Sequence, residues 1–187
     1  MSTGRVIDYA QALRCARRLF AETSGVDMDE LAHRLSVSRA TLYRVVGSRD
    51  RLLGDVLSHA GERMTQQAFD AAEGTGAERL LDAAARFNAA IVGAEPLRRL
   101  LRDDPATAFR VLFTPEPAVH RRAVQLWARL FAQARAEDGF THPLGDEELA
   151  FVFVRIGESI LYADLLADLE PDLALAAKVQ RAVLLAV

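Results

Sequence analysis

The chain holds almost no lysine and almost no cysteine: Lys178 and Cys15 are the single examples in 187 residues. One thiol cannot close an internal disulfide, so the chain is expected to fold on apolar burial in a reducing, cytoplasmic setting. The shortage of lysine reads as genomic base composition and carries no functional weight. The N-terminus, "MSTGRVIDYA", lacks an apolar core for a signal peptide. No apolar run is long enough to span a bilayer, because Arg155, Glu158 and Asp164 interrupt the longest, "ELAFVFVRIGESILYADLLADL". No membrane partner is therefore expected. His33, His59, His120 and His142 show no metal-ligand spacing. "GTG" at 74–76 has no strand before it and no lysine after it, so it is not a phosphate loop. No serine elbow and no paired catalytic carboxylates stand out. No catalytic residue, no metal and no cofactor is expected, and the chain is not read as an enzyme.

What is present is helix. Apolar residues make up 51% of the chain, enough for a sizeable core. Their spacing is helical nearly throughout. The reading is helices at 5–22, 27–35, 38–45, 48–73, 77–93, 96–103, 105–113, 117–138, 146–168 and 171–186. Asp27, with Glu30 as capping-box partner, Ser38 and Ser48 stand where N-caps belong. Pro96, Pro105, Pro117 and Pro171 fit first turns. The Gly-rich break at 72–78 separates two long helical stretches. Charge is uneven: ten arginines face eight acidic residues through Arg63, and thirteen basic face eighteen acidic residues beyond it. A basic end on an acidic body places any polyanion-binding face at the N-terminal end.

That end carries "LSVSRATLYRVVGSRDRLL", with four arginines in one short stretch at 35–53. Met28, Leu31, Ala32 and Leu35 mark the inner face of a first helix. The chain turns at Ser36, and Val37 points back into the pair. Ala40, Leu42 and one of Val45 and Val46 form the inner face of a second helix. Ser38, Arg39, Thr41, Tyr43 and Arg44 are then left outward at its start. This is a helix-turn-helix layout, and a major groove admits one such helix. Arginine bonds guanine bidentately, and hydroxyls and helix N-termini reach phosphates. Arg49, a cation at a helix start, opposes the helix dipole unless a phosphate lies near. The DNA-contact set is thus Ser38, Arg39, Thr41, Tyr43, Arg44 and Arg49.

Residues 6–57 resemble the N-terminal domain of the tetracycline-repressor (TetR) family. The resemblance rests on "ALRCARRLFAE", "MDELAHRLSVSRATLYRVV" and "GSRDRLLGDVL", in that order and spacing. Val45 and Val46 stand where the family commonly has an aromatic pair, and Arg49 where it commonly has lysine. Residues 75–187 faintly resemble regulators of quorum-signal lactone degradation in actinobacteria. The resemblance implies an all-α homodimer with a helix-turn-helix domain, here 1–50. Helix 48–73 joins it to an effector-binding and dimerisation domain, here 51–187. It implies repression at a pseudo-palindromic double-stranded DNA operator, relieved when a small molecule fills the C-terminal domain.

In the C-terminal part, polar groups interrupt apolar faces, as in a small-molecule site. Phe87, Asn88, Arg110, Trp127, Phe131, Phe153, Glu158 and Tyr162 are the candidates for a mainly apolar, lactone-like or fatty-acyl-like effector. Helices 146–168 and 171–187 are apolar on more than one face. Such helices are covered on two sides, so they are read as the homodimer bundle. Two other classes fit the sequence less well: a small helical enzyme, which lacks a catalytic constellation, and an interaction module whose helix-turn-helix has degenerated.

Overall fold

The computed structural model describes residues 7–185, all of whose regular structure is helical. Eleven helices follow in order among them: α1 Tyr9–Thr23, α2 Met28–Leu35, α3 Arg39–Val46, α4 Arg49–Asp70, α5 Gly76–Val92, α6 Glu95–Asp103, α7 Pro105–Phe113, α8 Val119–Asp138, α9 Asp146–Leu161, α10 Ala163–Ala167 and α11 Leu173–Leu184. The all-α class read from the periodicity is what the structure shows.

Local chemistry explains most boundaries. Asp8 caps α1 by accepting from the Gln11 N–H at 2.7 Å, and the Gln11 side chain reaches back to the Asp8 N–H at 3.2 Å. Asp27 caps α2 by accepting from the Asp29 and Glu30 N–H groups. Glu30, read as its capping-box partner, instead gives its carboxylate to Arg34 at 2.7 Å. The helix ends on Ser36, left-handed at φ 55°, whose turn aims the chain into α3. Ser38 caps α3 through the Thr41 N–H, and Gly47 at φ 81° closes it. Ser48 accepts from the Arg51 N–H at the start of α4.

Several expectations are corrected. The expected helix 146–168 is two helices, α9 and α10, which meet at Tyr162. The helix expected at 48–73 stops at Asp70. Pro117 and Pro171 precede the first turns of α8 and α11 rather than lying in them. The helix expected from residue 5 begins at Tyr9; residues 5 and 6, and the last residues of the 171–187 segment, lie outside the described residues.

The helices group into two compact units. Among the described residues, one comprises 7–59 with 95–119, and the other 60–94 with 120–185. A division after residue 50 therefore separates α6 and α7 from the helices they group with. In the first unit α1, α2 and α3 pack on one another, and α6 packs on α1 and α7. Leu19, Val26, Leu31, Leu42, Val46, Leu52 and Leu53 are among its fully buried side chains. In the second unit α5, α9 and α11 pack together around Phe69, Leu80, Trp127, Phe131, Phe140, Leu149 and Phe153.

Within the first unit, α4 passes so close to residue 117 that its glycine is required. A Cβ at Gly54 would sit 2.5 Å from the Pro117 Cβ and 2.9 Å from its carbonyl oxygen. Alanine in a helix interior gains about 1 kcal/mol over glycine. Overpacking against a stiff backbone costs about 1–3 kcal/mol. Gly54→Ala is therefore expected to lower the melting temperature. A melt at or above that of the unsubstituted chain would show that the approach is loose.

Candidate nucleic-acid interface

The helix-turn-helix is built from α2 and α3. Met28, Leu31 and Ala32 on α2 and Leu42 and Val46 on α3 are buried, as the periodicity requires. Ala40, expected inside, is exposed. The reason is the direction of α3: Leu42 and Val46, four apart, already fill its inner face, and Ala40 falls on the outer side of the first turn.

The six expected contact residues share this unit, in three kinds of surroundings. Ser38 and Thr41 are coupled: Ser38 Oγ accepts from the Thr41 N–H at 3.1 Å, and the two hydroxyls lie 2.9 Å apart. Ser38 thus positions the N-terminus of α3. Arg44 is exposed and makes no ion pair among the described residues. Arg39 and Arg49 are engaged by the protein itself. Arg39 Nη1 donates to both Asp29 carboxylate oxygens, at 2.7 and 2.8 Å, and its guanidinium lies 5.5 Å from the Tyr43 ring centroid. Arg49 Nε donates to the Val26 carbonyl at 2.9 Å. No phosphate is needed to offset the dipole at Arg49, since this carbonyl and the first-turn Asp50 lie beside it.

Arg39, Tyr43 and Arg49 line an open cleft of about 400 Å³ together with Thr23, Asp27 and Asp29. The two carboxylates were missed in the sequence. Asp29 and Arg39 lie ten residues apart on different helices, where no periodicity connects them. The Glu30 N–H, foremost, holds the Asp27 carboxyl below its ordinary range, so it remains an anion at the cleft edge. The cleft is therefore mixed in charge, whereas the outer face of α3 offers hydroxyls at its start and, in its last turn, Arg44 without an ion pair among the described residues.

The candidate effector residues do not form one group. Phe87, Trp127, Phe131 and Phe153 do belong together. Trp127 meets Phe153 at 4.8 Å between centroids, Phe131 at 5.9 Å and Phe87 at 6.3 Å. Asn88 is buried and donates to Gln180 Oε1 at 2.8 Å, while its own Oδ1 has no hydrogen-bond partner among the described residues. Glu158 accepts from His120 at 2.9 Å; burial pushes its carboxyl up from the usual range, with His120 opposing. Tyr162 is half-buried at the α9–α10 junction. Arg110 belongs to the other unit, where it is exposed and pairs with Asp50 at 3.0 Å and Thr107 at 2.9 Å. The first-turn carboxylate of α4 captures it, a tertiary contact that the pattern of α7 does not foretell.

Cys15 is half-buried, and burial, chiefly, pushes its thiol up, away from a reactive thiolate. Among the described residues no group of three or more His, Cys, Asp or Glu side chains could hold a metal, and no helix is long and apolar enough to cross a membrane.

Comparison with known proteins bears on the family and the fold. Residues 75–185 match the family model of the tetracyclin repressor-like C-terminal domain. The chain is 31% identical, over 162 residues, to the HTH-type transcriptional repressor Rv3405c of Mycobacterium tuberculosis H37Rv, covering 79% of this chain and 86% of that protein. Its fold is similar to that of the TetR-family transcriptional repressor QsdR of R. erythropolis, with a TM-score of 0.88 and 32% identity over 95% of this chain and 94% of QsdR. A putative transcriptional regulator of Pseudomonas aeruginosa PAO1 shares the fold at a TM-score of 0.55 and 17% identity. The chain belongs to the tetracycline-repressor (TetR) family of transcriptional repressors.

Proposed function

We propose that the chain binds a pseudo-palindromic operator as a homodimer and leaves it when a small, mainly apolar effector binds. The outer face of α3 carries this reading, with Ser38 capping its start and Arg44, in its last turn, exposed and without an ion pair among the described residues. The helix-turn-helix region is residues 1–50 in this account, and 51–187 serves effector binding and dimerisation. In a dimer the two α3 helices would lie about one DNA turn apart, roughly 34–36 Å.

For the dimer, residues 146–168 and 171–187 are the proposed contact. Leu166, Leu169, Leu173 and Leu175 are 43%, 63%, 39% and 46% exposed, more apolar surface than a solvated helix pair usually leaves open. For the effector, the aromatic group around Trp127 supplies apolar contact. Asn88, whose Oδ1 has no partner among the described residues, and Glu158 supply polar atoms. The likeness to regulators of lactone degradation favours a lactone-like or fatty-acyl-like molecule. Helix α4 begins at Arg49 and contributes residues to both compact units, so it is the proposed link between effector and DNA. Emptying the operator nearly completely requires the effector to prefer the released state by about 5.5 kcal/mol.

The test is capture of genomic fragments by the purified chain. Enrichment of a small set sharing a two-fold symmetric motif is expected. Affinity for that motif should fall steeply as salt rises, because phosphates release counterions. A salt-independent affinity, or capture without a common motif, contradicts the reading.

A further inference from the structure

We propose that Asp29 competes with DNA for Arg39, and so limits binding of the protein to DNA of arbitrary sequence. This inference rests on the operator-binding reading above. One arginine nitrogen meets both carboxylate oxygens of Asp29 at 2.7 and 2.8 Å, joining the first turn of α2 to the first turn of α3. The Tyr43 ring lies beside the same guanidinium at 5.5 Å and restricts where it can swing. Arg39 therefore stands at the start of α3, where a groove-binding helix makes its contacts, but in the free protein its charge is already matched.

Binding to arbitrary sequence is almost wholly phosphate attraction, set by how many cations the protein brings. A paired Arg39 is missing from that number. Arg44, without an ion pair among the described residues, is included in it. At an operator, close seating of α3 brings DNA within reach of Arg39, which then exchanges the carboxylate for a nucleic-acid acceptor. The pair is open to water, with side chains 57% and 68% exposed, so it holds Arg39 loosely and the exchange is cheap. It acts as a filter rather than a lock.

The experiment measures binding of the full chain to a random-sequence duplex across a salt series. The chains compared are unsubstituted, Asp29→Asn, Arg39→Ala and the double variant. Asp29→Asn leaves the Asp27 cap in place, and Asp29→Ser replaces it should the first variant fail to fold. Freeing Arg39 should tighten binding about two- to five-fold. The salt slope should steepen by about one, for the one added phosphate contact. In the Arg39→Ala background the same substitution should give a smaller rise. An equal rise there would mean that Asp29 acts only as a repelling charge, which overturns the proposal. Unchanged or weaker binding of Asp29→Asn also overturns it. Failure of the unsubstituted chain to bind any duplex would instead remove the operator reading itself, and this proposal with it.

Discussion

Arg44→Ala is expected to weaken operator binding by roughly 1–3 kcal/mol, about five- to 150-fold, while leaving the fold intact. Arg44 is exposed and has no ion pair among the described residues, so truncation breaks no internal contact. Surface changes of that kind usually move stability by less than about 0.5 kcal/mol. What the truncation removes is the reach of a planar guanidinium toward a base edge, where it can bond guanine twice. Arg44→Lys separates charge from geometry: it keeps the cation and loses the fork. If Arg44 reads a base, lysine rescues binding to arbitrary sequence but not to the operator. An electrophoretic shift assay checks both. Undiminished operator affinity in Arg44→Ala would remove Arg44 from the contact set.

The second large effect lies in the core of the other unit. Phe131 is fully buried between Trp127 and Phe153, with ring centroids at 5.9 and 5.5 Å. Phe140 lies 6.3 Å away on the far side. Phe131→Ala removes a ring that these neighbours cannot collapse to fill, because each is itself held by other buried side chains. A loss of about 3–5 kcal/mol is expected, transfer and cavity together. The chain has one tryptophan, Trp127, and it touches this ring, so its fluorescence in a urea titration reports the loss where it occurs. The midpoint should fall well below that of the unsubstituted chain. An unchanged midpoint would mean that the aromatic group contributes little to this unit.

Whatever was set by neighbours in sequence could be read from it. The caps at Asp27, Ser38 and Ser48 depend on a side chain meeting an N–H two or three residues on, and all three form. The inner faces of α2 and α3 follow from 3.6-residue spacing, apart from Ala40, a residue small enough to be indifferent to either side. The break at Tyr162 was hidden because apolar residues continue on both sides of it, so the period carries no sign of a stop. Contacts distant in sequence were also out of reach. Pro117 against Gly54, Arg110 on Asp50 and Arg39 on Asp29 all join separate helices or loops. For the interface this matters most at the arginines. Composition identified them as a set, but only tertiary structure separates Arg44, which stands free, from Arg39 and Arg49, which the protein holds. In the C-terminal part Trp127, Phe131 and Phe153 are buried and Phe87 is half-buried, whereas Phe109 and Phe151 are exposed. Their spacing could not say which of them pack on one another, nor that Arg110 pairs with Asp50.

The most direct test is a protection footprint of the purified chain on a captured genomic fragment, with Arg44→Ala run beside it. Two protected half-sites related by two-fold symmetry are expected, their centres about one turn of DNA apart, and both should be lost in the variant at the same concentration. Uniform protection without a boundary, or a bounded footprint that the variant reproduces unchanged, would contradict that expectation.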